Sequence, residues 1–350
     1  MSKSSKGNFF EDFHLGQEIV HAVPRTITAG DVSLYSALYG MRFAVQSSDA
    51  FARSIGLKAA PVDNLLLFHV VFGKTVPDIS LNAVANLGYA ECRFLKPAYP
   101  GDSFTARSEV IGLRENSNGK TGIVYVRSTG FDSSGEAVLT FVRWVMINKR
   151  DTRTPAPETV VPETAPAVAA DQLVPPPGLD CARYDRPVAG SPHLLEDYAI
   201  GEHIDHVDGM TIEEAEHQIA TRLYQNTAKG HFDALAQRSS RFGRRIVYGG
   251  HVISLARALS FNGLANAPFI AAINGGRHVN PAVAGDTIHA WSEVLDRHAF
   301  DGRNDVGALR LRTIATKDLP CAGFPTPGTE AEGSILLDLD YWVLMPRRLG

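Results

Sequence analysis

Lys96-Pro97-Ala98-Tyr99-Pro100-Gly101-Asp102 returns later in the chain as Asn280-Pro281-Ala282-Val283-Ala284-Gly285-Asp286. Both copies run into an alternating stretch, ending Ser108-Glu109-Val110 and Ser292-Glu293-Val294. Upstream, Glu11-Asp12-Phe13-His14-Leu15-Gly16-Gln17 is matched by Glu196-Asp197-Tyr198-Ala199-Ile200-Gly201-Glu202, and His21 through Thr28 by His206 through Thr211. Downstream, Arg143-Trp144-Val145-Met146 is matched by Tyr341-Trp342-Val343-Leu344. The offset is 183 to 185 residues through the first three matches and 198 at the last, which predicts an insertion late in the second copy. A period this long is not that of a solenoid; it reads as a duplicated domain.

Between the copies, nine of the 20 prolines fall from Pro155 to Pro192, with Pro175-Pro176-Pro177 near the centre. Such a stretch sustains neither a helix nor a central strand. It predicts an extended linker over 151–190, joining a first domain at 1–150 to a second at 191–350. Each copy has the same layout. A helix opens at a capping pair, Thr28 with Asp31 and Thr211 with Glu214. In the second copy Ile212, Ala215, Ile219 and Leu223 fall on one helical face. A second helix, apolar all round and so buried, is expected over Asn64–Lys74 and His251–Phe261. Strand signals follow: Phe104, Ala106, Ser108 and Val110 alternate with polar neighbours, then come Ile123–Arg127 and Val138–Ile147. Helices followed by antiparallel strands make an α+β domain.

Composition narrows the class. Of 350 residues 44% are hydrophobic and 21% charged, enough apolar material for a substantial core. A net charge of −4 argues against a general nucleic-acid binder, while a small anionic ligand needs only a local basic patch. No apolar run is long enough to cross a bilayer, and the first residues lack the apolar core of a secretory signal. Cys92, Cys181 and Cys321 are far apart and odd in number, which argues against a disulfide framework or a zinc site and for a reducing cytoplasm. His69, His206, His217, His278 and His289 fall at no metal-ligand spacing and read as structural or surface residues. No glycine-rich nucleotide fingerprint or P-loop is present. No metal and no redox cofactor is implied.

The order of elements, with the phrase P-x-x-x-G-D-[ST] leading to E-V, resembles the MaoC-like hydratases and dehydratases of hydratase 2 type. The resemblance covers both halves. It implies a tandem, or double, hotdog fold, each unit a long central helix wrapped by an antiparallel sheet. The stretches His69 to Leu87 and Tyr248-Gly249-Gly250-His251-Val252-Ile253-Ser254 resemble members that act on mesaconyl-CoA. They imply a cytoplasmic hydro-lyase that interconverts mesaconyl-CoA and 2-methylmalyl-CoA, with homodimerisation plausible. A hotdog thioesterase, another enoyl-CoA hydratase, and a catalytically dead acyl-CoA-binding protein remain the alternatives.

The family's active-site motif resembles D-x-N-P-x-H. Here the stretch is Asn226-Thr227-Ala228-Lys229-Gly230-His231. His231 holds the His position, Asn226 replaces the Asp, and Ala228-Lys229 replace Asn-Pro. The first half has Met41 through Gln46 there, and neither end exchanges protons. Hydrating an α,β-unsaturated thioester needs water activated at Cβ and a proton delivered to Cα. A histidine, titrating near neutrality, takes a proton and returns it. Asn226 can orient water but cannot act as a base. Asp233 and Glu214 are the candidates for a replacement carboxylate. Gly249, Gly250 and His251 open the second helix, where backbone N–H groups suit the charge on a thioester oxygen. The first half has Pro61-Val62-Asp63-Asn64 in that place, with an acid where an anion would sit. Arg238, Arg241, Arg244 and Arg245 form a candidate patch for the coenzyme phosphates. Lys229, or Arg222, is the candidate for pairing with a free carboxylate on the acyl group.

Overall fold

The computed structural model describes residues 3–349. The first half runs β1 (Glu18–Thr26), α1 (Ala29–Tyr39), short α2 (Ala44–Ser47) and α3 (Asp49–Ser54), then α4 (Asn64–Thr75), which ends in a wide turn over Val76–Ser80. It continues through β2 (Ala83–Phe94), β3 (Ser103–Glu115), β4 (Thr121–Phe131) and β5 (Ala137–Asn148). After a single turn α5 (Arg186–Ala189), the pattern repeats. Its helical part runs β6 (His203–Asp205), β7 (Met210–Thr211), α6 (Glu214–Leu223), α7 (Lys229–Phe232), α8 (Ala234–Gln237), α9 (Gly249–Leu259) and α10 (Phe261–Leu264). The closing strands are β8 (Phe269–His278), β9 (Thr287–Ala299), β10 (Val306–Lys317) and β11 (Ile335–Pro346).

The strands form one antiparallel sheet in the order β1-β3-β4-β5-β2-β8-β11-β10-β9-β6, with β7 pairing β9 beside β6. Each half supplies a curved sheet around its own helix: α4 packs on β1, β3 and β4, and α9 on β9, β10 and β11. From Leu65 to Thr75 every residue of α4 is buried, and from Gly250 to Leu259 every residue of α9. Both helices are buried along almost their whole length, so burial rather than propensity holds them. Each fully buried Leu or Phe contributes about 1.5–3 kcal/mol. This is the α+β double hotdog.

The repeated opening stretch has a concrete structural task. Gly101 and Gly285 turn the chain at φ of 100° and 99°, a left-handed region that glycine enters without strain. The aspartate after each glycine closes the turn: Asp102 Oδ2 accepts from the Tyr99 N–H at 2.8 Å and Asp286 Oδ2 from the Val283 N–H at 2.9 Å. The alanine inside each stretch then accepts from the segment entering the central helix, Val62 N–H to Ala98 O and Val247 N–H to Ala282 O, both at 2.8 Å. The motif thus fixes where each central helix begins.

β2 and β8, which carried no clear alternation in the sequence, join the halves. Tyr89 lies opposite Gly276 and Ala90 opposite Gly275. The 151–190 segment is not the simple extended linker expected: it is irregular, with single helical turns at Ala170–Gln172, Cys181–Arg183 and α5, and part of it is buried. Val168, Leu173, Leu179 and Cys181 pack against Phe269, Trp342 and Leu344 of the second half and Phe51 and Ile55 of the first. The insertion falls between β10 and β11, where Cys321 and Phe324 fold over Trp291, whose indole N–H donates to Pro325 O at 2.9 Å. The α1 capping box forms as expected, Thr28 with Asp31. Its counterpart does not. Thr211 lies in β7 with its hydroxyl on Thr287, and α6 starts after Glu213. Pairing with the sheet edge therefore removes Thr211 from the cap and frees Glu214 for other contacts. The buried face of α6 is also rotated by one step from that expected: it carries His217, Ala220, Thr221 and Leu223.

Candidate active site

After α6 the chain reverses through Gln225, at φ 54°, into Asn226. That turn rests on the first half. At Gly73 of α4 an added methyl would overlap the Tyr224 carbonyl oxygen and stand 2.9 Å from its carbon and 3.4 Å from the Asn226 nitrogen. Only glycine lets α4 approach this backbone. Asn226 is 4% exposed, and its Oδ1 accepts from the Ala228 N–H at 3.0 Å. This side-chain bond starts the single-turn α7, which carries His231.

His231 is fixed by one bond. Its Nδ1 lies 3.0 Å from the Ile246 carbonyl oxygen, and a carbonyl can only accept. The proton therefore sits on Nδ1, and Nε2 keeps its lone pair. Burial pushes the ring pKa down to about 4, against a smaller opposing effect of the Ile246 bond. His231 is thus a neutral imidazole with a free acceptor at neutral pH.

Beside it stands the start of α9. Tyr248 precedes the first turn and offers no side-chain cap. The first N–H groups of a helix have no partner within it, and the helix dipole makes them favour negative charge. Side chains crowd this turn so closely that both glycines are required. A methyl on Gly249 would come within 2.7 Å of the His278 Nδ1, and one on Gly250 within 2.6 Å of the Tyr248 ring. The Tyr248 and His231 ring centroids are 5.7 Å apart, and His278 Nε2 meets the Tyr89 hydroxyl at 3.2 Å.

A buried polar network ties the site to the first half. The Tyr39 hydroxyl bonds the Tyr224 hydroxyl at 2.7 Å and His251 Nδ1 at 2.8 Å. His69 bridges the Ser254 hydroxyl at 3.0 Å and the Tyr248 hydroxyl at 3.3 Å. Tyr35 reaches the same Ser254 at 2.9 Å. Burial drives His69 and His251 down to about 3 and lifts the Tyr39 and Tyr224 hydroxyls above the usual range. All are neutral hydrogen-bonding groups. His251 therefore faces Tyr39 of the first half.

The remaining candidates lie around this centre. Lys229, at the start of α7, and Arg222, on α6, are exposed. Asp233 caps α8 by accepting from the Ala236 N–H at 2.9 Å. Glu214 pairs with Arg245, with Arg244 at 3.5 Å and with His217 at 3.3 Å. Arg241 is exposed, stacked on Phe242 at 4.4 Å, and Arg238 is exposed. Arg238, Arg241 and Arg244 thus present charge to solvent, whereas Arg245 is largely covered. Among the described residues no group of three or more His, Cys, Asp or Glu side chains is placed to hold a metal. No helix there is long and apolar enough to cross a membrane.

A family model described as mesaconyl-CoA hydratase matches residues 1–321. The chain belongs to the mesaconyl-CoA hydratase family. It is 62% identical to the β-methylmalyl-CoA dehydratase of Chloroflexus aurantiacus over 99% of both chains. It is 60% identical to the mesaconyl-CoA hydratase of Cereibacter sphaeroides over 99% of this chain and all of that one. A solved MaoC domain protein dehydratase from Chloroflexus aurantiacus superposes with a TM-score of 0.97 at 62% identity, covering both chains completely. A conserved hypothetical protein of Mycobacterium tuberculosis with a double hotdog fold aligns at TM-score 0.73 and 24% identity, over 97% and 98% of the two chains, a likeness of fold alone.

In this member of the mesaconyl-CoA hydratase family the first-half counterpart of the site is filled. Gln46, which aligns with His231, donates its amide to Pro268 O at 2.8 Å. Phe43 is fully buried under the Arg257 guanidinium, 3.8 Å from its ring centroid. Asp63 caps α4 through the Leu65 N–H at 2.8 Å, and burial raises its pKa against the opposing charge of Arg257.

Several residues around His231 escaped the sequence reading: Tyr89, Tyr224 and Tyr248, with His69, His217 and His278. The sequence marks the three histidines as structural or surface positions; His69 and His217 are buried, and His278 packs on Gly249. The repeat contained a usable signal. His21 and His206 occupy matched positions and do matched work, bonding Ser108 at 2.7 Å and Ser292 at 2.8 Å. Those are scaffold. His217, His231, His251 and His278 have no histidine at the matching first-half positions.

Proposed function

We propose that this chain reversibly hydrates mesaconyl-CoA to 2-methylmalyl-CoA at one site, within residues 191–350. Residues 1–150 form a non-catalytic half that shapes the site, and 151–190 form the connection between them. The observation that carries the reading is His231: its Nδ1 proton is held by Ile246, so Nε2 keeps its lone pair as a base, on a ring 5.7 Å from that of Tyr248, the residue before α9. In the hydration direction Nε2 takes a proton from water as its oxygen bonds to Cβ. The alkene pair moves toward the thioester carbonyl, whose oxygen collects charge at the Gly249 and Gly250 N–H groups. His231 then returns the proton to Cα. Asn226, its Oδ1 engaged by Ala228, keeps its amide N–H groups to hold the water oxygen. Removing one such oxyanion donor costs about 10²–10³ in rate in comparable sites.

Arg238, Arg241 and Arg244 are the proposed contacts for the coenzyme phosphates, and Lys229 for the free carboxylate of the acyl group. The working form is proposed to be a homodimer in the cytoplasm. No cofactor is needed for these steps. The test is incubation of purified protein with mesaconyl-CoA. Loss of the enoyl-thioester absorbance with no free thiol supports hydration. Thiol release would establish a thioesterase instead. The Asp-to-Asn change at position 226 motivates one rival, an acyl-CoA-binding protein without activity; tight binding with unchanged absorbance would favour it.

A further inference from the structure

Asn226 leaves an unfilled task. A water held for attack presents two protons, and Nε2 of His231 accepts one. In the family pattern a carboxylate takes the other, but the Asn226 carbonyl oxygen is already used by the Ala228 N–H. We infer that buried His217, backed by the exposed Glu214 carboxylate, supplies the missing acceptor, with His217 Nδ1 receiving the second O–H of the catalytic water. This rests on the proposed hydratase reading and deepens it.

The geometry follows from α6. His217, Thr221 and Tyr224 lie one above another at i, i+4 and i+7, on the face that α6 turns inward. Tyr224 enters the buried network through Tyr39, and the Thr221 carbonyl holds the Asn226 N–H at 3.1 Å. On the next residue, Gln218 reaches the Phe232 carbonyl at 3.5 Å, which brings α6 against α7 and His231. His217 is 1% exposed. Its Nε2 faces Glu214 Oε2 at 3.3 Å, so Nε2 carries the proton and Nδ1 the lone pair. Nδ1 is buried and has no protein partner. A buried polar atom left unpartnered costs about 1–3 kcal/mol, which makes its retention at this position informative. The first half has Val32 at the matching position, a side chain that can accept no proton.

Five charged or titratable groups surround His217. Glu214 lies on its own helix, Arg244 and Arg245 precede α9, His231 is on α7 and His251 on α9. Burial lowers the His217 pKa, and Glu214 opposes that shift. Protonation of Nδ1 would remove the acceptor, so His217 belongs to the acid limb of the rate profile.

The experiment compares kcat, KM and the pH profile of mesaconyl-CoA hydration for wild type, His217→Gln, Glu214→Gln, Asn226→Asp and His217→Gln/Asn226→Asp. His217→Gln is expected to lower kcat by about 10²-fold with KM within threefold. Adding Asn226→Asp restores the carboxylate and is expected to recover at least tenfold. Glu214→Gln removes the charge that supports His217 and moves the acid limb to lower pH. Unchanged kcat in His217→Gln overturns the inference. So does a folded double variant that recovers nothing. Should His217→Gln fail to fold, Glu214→Gln decides, and an acid limb that does not move overturns the inference. Wild-type protein inactive on mesaconyl-CoA would instead overturn the hydratase reading.

Discussion

Replacing Gly73 with alanine tests whether the first half positions the proposed site. Gly73 lies on α4, far in sequence from His231 and in the other copy of the repeat. The new methyl would overlap the Tyr224 carbonyl oxygen and sit 2.9 Å from the carbon, against an ordinary separation of at least 3.4 Å. Because the obstacle is backbone, no rotamer relieves it, and the 224–226 turn must move by roughly an ångström. Overpacking of this kind costs about 1–3 kcal/mol, and alanine's higher helix propensity returns about 1 kcal/mol. The net loss of stability is therefore small. The kinetic loss is not. Asn226 and His231 follow directly from the displaced turn, and a misplacement of about 1 Å lowers rate by about 10²-fold. Gly30→Ala is the control, since a methyl there meets only the Thr28 hydroxyl at 3.5 Å and α1 gains a better helix former. The assay pairs thermal unfolding with kcat on mesaconyl-CoA. Gly73→Ala should melt within a few degrees of wild type yet lose about two orders of magnitude in kcat, while Gly30→Ala keeps both. Wild-type turnover in Gly73→Ala would refute the claim that α4 sets the site loop.

Acid stability follows from the buried histidines. His69 and His251, held near pKa 3, and His206, near 4, must stay neutral in the folded protein but titrate near 6.5 once unfolded. Folded values depressed in this way give stability that is complete above about pH 6.5 and is lost as pH falls. Each fully buried ring forfeits about 1.4 kcal/mol per pH unit below that point, so the three together remove about 4 kcal/mol by pH 5.5. Urea unfolding followed by circular dichroism should give a stability lower by about 4 kcal/mol at pH 5.5 than at pH 7.5, and an equal stability at the two pH values would contradict this. For the acyl carboxylate, Lys229→Met should raise KM for mesaconyl-CoA and spare crotonyl-CoA; equal effects on both would remove the pairing.

What the sequence could reveal depended on whether a feature is local. The P-x-x-x-G-D turns are local, held by the glycine's backbone and the aspartate's own bond three residues back, and they marked the duplication correctly. The buried helices declared themselves by being apolar all round. β2 and β8 did not, because Gly88, Gly275 and Gly276 interrupt any alternation while allowing the two halves to pair closely. Thr211 carried a plausible cap signal that the sheet edge overrode. Around the site, the His231 and Asn226 positions are contiguous in the chain and were readable. Tyr39, His69 and Tyr89 reach the site only across the interface between the halves, and His217 reaches it from the inward face of α6. No spacing rule connects those positions. Comparing the two copies does, since a histidine present in one half only stands out against its scaffold counterpart.

The most direct measurement is mesaconyl-CoA hydration by wild type and His231→Ala, followed through the enoyl-thioester absorbance. Nε2 of His231 is the proposed proton-handling group. Wild type should consume the absorbance reversibly, and the variant, folded by circular dichroism, should lose at least about 10²-fold in kcat. A His231→Ala protein that hydrates mesaconyl-CoA at the wild-type rate would contradict the assignment of the site.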